Sequence, residues 1–198
     1  MTKLEFNTEK EAIRSTVVDE KLKECRFILV ASGSKNPIEK EWSSKNNYSI
    51  DDPVLQKHIS SGGNYGVIPS STIAVLDVDE KDIFDRLEIL DYLKETFIVK
   101  TGSDDGYHIY LKIKDECPAK KIPLYDPKDN SKHIGEIFFS DCPAFVVGPG
   151  CTHPSGNKYL ITNDAPIMEI TYNQIQEMIL SKVHYKTLFR MILPIKPQ

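Results

Sequence analysis

The stretch Thr72-Ile73-Ala74-Val75-Leu76-Asp77-Val78-Asp79-Glu80 constrains this chain more than any other, because an apolar strand ends in two carboxylates one residue apart. Side chains alternate between the faces of a strand, so Ile73, Val75, Asp77 and Asp79 share one face while Ala74, Leu76 and Val78 share the other. The two aspartates therefore project the same way, about 6–7 Å apart at their Cα atoms. Carboxylates that close each disfavour the other's ionised form, and a divalent cation reverses that cost. The pattern points to a Mg²⁺ or Mn²⁺ site at the end of a strand.

The chain around it has 198 residues, 40% of them hydrophobic, enough for one ordinary core. No N-terminal apolar run of the signal-peptide kind and no run of eighteen apolar residues occurs, so a cytoplasmic protein that does not meet the membrane is expected. Cys25, Cys117, Cys142 and Cys151 are scattered without a C-x-x-C. They read as free thiols, with no structural zinc. A net charge of −4 does not favour phosphate contacts. Basic residues nevertheless concentrate at Lys112, Lys114, Lys120, Lys121, Lys128 and Lys132.

Taken in order, Thr8-x-x-Glu11 with Ala12, Ile13, Val17 and Leu22 predicts an amphipathic helix over about 8–24. Arg26–Ala31 reads as a buried strand, followed by the turn Ser32–Pro37 and the lone tryptophan, Trp42. Asp51-Asp52-Pro53 starts a helix that Gly62-Gly63 ends. Asn64–Ile68 and Thr72–Asp79 predict one antiparallel hairpin across Pro69-Ser70-Ser71. Ile83, Phe84, Leu87, Leu90 and Leu93 form one stripe of a helix of about three turns. Thr96–Thr101 and Tyr107–Ile113 predict a second hairpin, with His108, Tyr110 and Lys112 on one face. Residues 114–133 carry three prolines without periodicity and read as an excursion from the core. Gly135–Phe139 and Ala144–Val147 predict a third hairpin, a last strand falls near Lys158–Thr162, and Thr171-x-x-Gln174 caps a helix. The tail Leu193–Gln198 reads as a linker.

Three features sit at strand ends or in turns: Asp77 with Asp79, the segment Ser103–His108, and Glu136, which interrupts an apolar strand. Phosphoryl transfer by two metal ions needs several carboxylates from separate strands, and Asp77, Asp79 and Glu136 would supply them. A small-residue turn presenting Ser103, Gly106 and backbone N–H groups, followed by His108, suits a triphosphate.

At these residues the sequence resembles the archaeo-eukaryotic primase superfamily, and within it the prim-pol domains of plasmid and phage replication proteins. The family pattern is a hydrophobic-Asp-x-Asp/Glu strand, then Ser-x-His after a Gly-rich turn, then a hydrophobic strand bearing an acid. Ala74–Asp79, Ser103–His108 and Gly135–Phe139 match in that order. Lys35-x-Pro37 with Trp42, Asn64-Tyr65-Gly66-Val67, and Val147–Gly150 with Gly156–Tyr159 also look like the pattern, so that the resemblance covers about residues 26–162. It implies an α+β fold, with an RRM-like antiparallel or mixed catalytic sheet and flanking helices. An N-terminal α/β unit of about 1–70 would join a core of about 71–170, both within a catalytic domain of 1–170. Residues 171–198 would be a C-terminal helix and tail, leading to a helical domain or helicase partner.

The resemblance further implies a DNA primase/polymerase working on a single-stranded DNA template and primer with dNTPs or NTPs. Asp77, Asp79 and Glu136 would bind two Mg²⁺ or Mn²⁺ ions. His108 and Ser103, with Gly106, Lys35 and His153, would contact the nucleotide. Two departures stand out: Asp104-Asp105 occupies a turn where relatives often have glycine, and Phe138 stands where a basic residue often follows the acid. The residues also admit a metal-dependent phosphoesterase or nuclease using the same carboxylates, or a non-catalytic nucleic-acid-binding replication module.

Overall fold

The computed structural model describes residues 17–103, 105–140, 142–186 and 188–189. Most of the helix expected over 8–24, the position of Asp104 and the tail 193–198 lie outside them. The described part of that helix holds a single 3-10 turn, Glu20–Leu22, capped by Asp19.

The architecture is α+β with mostly antiparallel pairing. Strand β1 (Arg26–Val30) is followed by helix α1 (Pro53–Ser60), whose first turn is closed by the Asp52 side chain accepting from Val54 N–H at 2.9 Å. Next come β2 (Asn64–Ile68) and β3 (Ile73–Val78). Two short helices, α2 (Lys81–Arg86) and α3 (Ile89–Leu93), replace the expected three-turn helix. The break falls at Glu88, whose φ of 55° is left-handed. The apolar stripe is still core: Ile83, Phe84, Leu90 and Leu93 are all buried.

The chain continues through β4 (Phe97–Lys100), β5 (Tyr107–Ile113), β6 (Ala119–Asp126), β7 (Asp129–Phe138), β8 (Val146–Val147), β9 (Leu160–Asp164) and β10 (Met168–Ile170). Helix α4 (Tyr172–Met178) begins with a reciprocal capping box between Thr171 and Gln174, as the sequence predicts. Strands β11 (His184–Tyr185) and β12 (Leu188–Phe189) close the described chain.

Two sheets result. The small one has the order β1-β2-β8, and the large one of nine strands runs β11-β6-β7-β3-β5-β4-β9, with β10 beside β5 and β12 beside β6. Strand β3 lies inside the large sheet, antiparallel to both β5 and β7. Its alternation is realised: Ala74, Leu76 and Val78 pack into a core with α2, α3 and α4, while Ile73 and Val75 face Phe27, Tyr65 and Val67 of the small sheet. Asp77 belongs to the second face, so the small sheet walls one side of its surroundings.

Three further expectations fail for identifiable reasons. Strands β2 and β3 form no hairpin, because the Ser70 hydroxyl accepts from the N–H groups of Thr72 (3.2 Å) and Ile73 (2.9 Å) in a turn that redirects the chain between sheets. Nor do β7 and β8 pair: β8 adds to β2 and β7 to β3 and β6. Residues 114–133 are no excursion, since β6 and β7 form a hairpin turning between Asp126 and Asp129. Arg86 reaches both carboxylate oxygens of Asp126, at 2.9 and 3.1 Å, and fastens that hairpin to α2.

Gly135 sits on β7 where a side chain would collide with β3. A Cβ there would lie 2.3 Å from the Asp77 carbonyl oxygen, a backbone atom held in the ladder. Gly135→Ala should therefore lower the urea midpoint by an equivalent of about 1–3 kcal/mol. An unchanged midpoint would show that the strands separate without cost.

Candidate active site

The register of the large sheet decides which side chains meet. Asp77 is directly opposite His108 on β5 and Glu136 on β7. Directly opposed residues in an antiparallel pair carry their Cβ atoms about 5 Å apart, so three side chains from three strands crowd one face. Asp79 follows the end of β3, anchored by its N–H to the Ile134 carbonyl at 3.0 Å.

Two basic residues that the sequence did not single out for the site complete it. Lys121 on β6 ion-pairs with Glu136, its Nζ 2.5 Å from Oε1. His133 bridges two carboxylates, Nδ1 lying 3.3 Å from Asp79 Oδ2 and Nε2 3.5 Å from Glu136 Oε1. In a regular strand, residues three apart point to opposite faces. The pairing shifts between Leu124–Gly135 and Tyr125–His133, so Ile134 is an extra residue, and this bulge turns His133 onto the face of Glu136. Ile134 and Ile137 confirm the shift, since both are buried in the helix-side core.

The electrostatics follow from crowding and burial. The Asp77 carboxyl is pushed up to about 7, first by desolvation and then by the charges of Asp79 and Glu136, with Lys35 and Lys121 opposing. Asp79 is also raised, by desolvation and by Glu136, against the pull of His133. His108 is buried and its imidazole pulled down to about 3 by desolvation and by the charge of Lys35, so it is neutral at working pH. Its Nε2 lies 3.5 Å from Asp77 Oδ1, an approach longer than a good hydrogen bond.

Lys35 lies on the exposed loop after β1, and its charge bears on Asp77, Asp79, His108 and His153 alike. Asn64 secures that loop. Its side-chain amide donates to the carbonyls of Ser34 (3.2 Å) and Thr152 (2.7 Å), and its Oδ1 accepts from Thr152 N–H at 2.9 Å. The buried Tyr159 ring stacks on His108, with centroids 5.6 Å apart, and meets His153 edge-on at 5.8 Å. His153 thus joins the site through an aromatic chain.

Ser103 and Gly106 form the turn leading into β5. The Ser103 hydroxyl pairs with Thr101 Oγ1 at 2.5 Å, and a Cβ on Gly106 would strike both hydroxyls, at 2.3 and 2.6 Å. Only glycine allows that approach. The carbonyl of Gly102 is held by the Ser155 hydroxyl (3.0 Å) and the Asn157 amide (3.1 Å), which docks the turn of residues 148–158 beside it. His133 links Asp79 to Glu136, and the register sets Asp77 between Glu136 and His108; Ser103 makes its bond within its own turn rather than to a carboxylate.

Among the described residues no three carboxylate, imidazole or thiol groups converge into a ready cage for an ion. The donor set is nevertheless the one a hard divalent cation takes: carboxylate oxygens from Asp77, Asp79 and Glu136, two of them raised by desolvation and then by their neighbours' charge. All four cysteines are free thiols.

A family model described as bifunctional DNA primase/polymerase, N-terminal (Prim-Pol), matches residues 21–174. The chain belongs to that family. A search of curated proteins finds no match. No helix among the described residues is long and apolar enough to cross a membrane.

The raised Asp77 carboxyl makes a pH-dependent prediction. Folded, it holds its proton to about pH 7, whereas unfolded it releases it near pH 4, so stability falls as pH rises through that window and the deficit is complete above 7. In chelator-treated protein, Asp77→Asn should be more stable than wild type at pH 8, by on the order of 2 kcal/mol, with the gap narrowing at pH 5. Thermal melts at both values check this, and equal melting temperatures at pH 8 would contradict it.

Proposed function

We propose that this member of the Prim-Pol family is the catalytic domain of a primase-polymerase that performs template-directed nucleotidyl transfer, making and extending primers. The observation that carries the reading is the register placing Asp77 between His108 and Glu136, on a face walled by the small sheet. The 3′-hydroxyl of a primer or initiating nucleotide attacks the α-phosphorus of an incoming nucleoside triphosphate, and pyrophosphate leaves.

Asp77, Asp79 and Glu136 would hold two Mg²⁺ or Mn²⁺ ions. When bound, these supply the positive charge that stabilises the attacking and leaving oxygens. The chain's own contribution is placement and a preorganised, partly desolvated field. Neutral His108, stacked against Tyr159, presents an imidazole that can hydrogen-bond a phosphate without a buried charge of its own. Lys35 contributes positive charge over the same face, and Ser103, Gly106 and His153 border it as further nucleotide contacts. Ordering the turn at 101–106 against that at 148–158 gives the triphosphate a fixed rim.

Single-stranded DNA template, primer and dNTPs or NTPs are the partners of this reaction. We take residues 1–170 as one catalytic unit, with an α/β part of about 1–70 and an RRM-like core of about 71–170, in the cytoplasm. In this unit β8, from the second part, completes the small sheet of the first.

Purified protein given a single-stranded template, a primer, dNTPs and Mn²⁺ should yield template-dependent product, and Asp77→Ala/Asp79→Ala should reduce the rate by at least about 10³-fold. Equal rates for the double variant would contradict the metal assignment. Nucleotide-independent degradation of labelled DNA would instead identify a phosphoesterase.

A further inference from the structure

We infer that Lys121 is an exchangeable counter-ion. It holds Glu136 while the carboxylates carry no divalent cation, and moves to the triphosphate of the incoming nucleotide once they do. This rests on the primase-polymerase reading, and goes beyond it by coupling the two ligands through one side chain.

Position is the first ground. Lys121 stands on β6 directly opposite Phe138, two residues beyond Glu136 on β7. Its ammonium lies 2.5 Å from Glu136 Oε1 and 5.2 Å from the centroid of the Phe138 ring. Its charge also reaches Asp77 and Cys142. A cation over an aromatic face keeps a favourable partner while it swings, and a lysine stem is long and flexible enough to do so. With its side chain 30% exposed, Lys121 has room to move on the side open to solvent. Phe138 itself is buried and stays in place as the platform.

Competition is the second ground. Lys121 and His133 both engage the same oxygen of Glu136. A divalent cation drawn to Glu136 meets an ammonium already there, and like charges at such range repel. Lys121 therefore weakens metal binding to the unliganded site. A polyanionic triphosphate removes the conflict by offering the ammonium charge-assisted hydrogen bonds. Metal and nucleotide each then bind more tightly in the presence of the other, and the coupling must be reciprocal. A lysine that served structure alone has no reason to affect the two ligands in opposite directions.

Titration calorimetry on the full chain separates these roles, using Mn²⁺ alone and then dATP at saturating Mn²⁺. Lys121→Met should bind Mn²⁺ about 3–10-fold more tightly and dATP about 10-fold more weakly than wild type, while Lys121→Arg keeps dATP within about 3-fold. Lys121→Gln, with matched thermal melts, guards against a folding defect in the Met variant and should show the same opposite shifts. If the Met and Gln variants bind Mn²⁺ no more tightly, or bind dATP as wild type does, the exchange is wrong while the active site stands. If wild-type protein binds neither Mn²⁺ nor dATP, the reading of the site fails and the exchange with it.

Discussion

The antiparallel ladder that seats β3 between β5 and β7 sets Asp77 opposite His108 on one side and Glu136 on the other, and the rest of the fold serves that register. A slip of one residue would exchange the two faces of β3. It would carry Ala74, Leu76 and Val78 away from the helices and Asp77 into the helix-side core. Burial on both faces makes that slip costly, so the apolar residues that precede the aspartates hold the aspartates in place. Gly135 permits the close approach of β7, and the bulge at Ile134 then re-aims His133.

Burial that fixes the register also loads the site electrostatically. Walls from the small sheet strip water from Asp77, and its carboxylate neighbours raise it further. Lys121, His133 and Lys35 relieve part of this repulsion from three different elements. The net charge of −4 therefore matters less than where the cations lie. A local cluster of basic groups around a carboxylate set suits ligands that are themselves pairs of opposite charge, a divalent cation with a triphosphate.

Much of this was legible in the sequence because it is local. Alternation alone grouped Asp77 with Asp79 along β3 and His108 with Tyr110 along β5, and the Asp52-Pro53 and Thr171–Gln174 signals located two helix starts. Long-range pairing was not legible. Strand β6 contains Pro123 and two adjacent lysines, which hide the alternating burial of Ile122, Leu124 and Asp126 along it. His133 escaped notice because only a bulge brings it to Glu136, and a bulge leaves no mark on a period-two reading. The partition of β2 and β3 between two sheets goes with a turn in which the Ser70 hydroxyl accepts from Ile73 N–H, which composition cannot reveal.

Everything in the proposed chemistry turns on whether Asp77, Asp79 and Glu136 bind cations as one centre. The most direct measurement is anomalous diffraction at the manganese edge from crystals grown with Mn²⁺ and a non-hydrolysable nucleoside triphosphate. Peaks are expected about 2.0–2.3 Å from carboxylate oxygens of Asp77 and Asp79, at least one also bound by Glu136, with the triphosphate lying toward His108. Peaks bound only to phosphate oxygens, or only at carboxylates elsewhere on the surface, would contradict it.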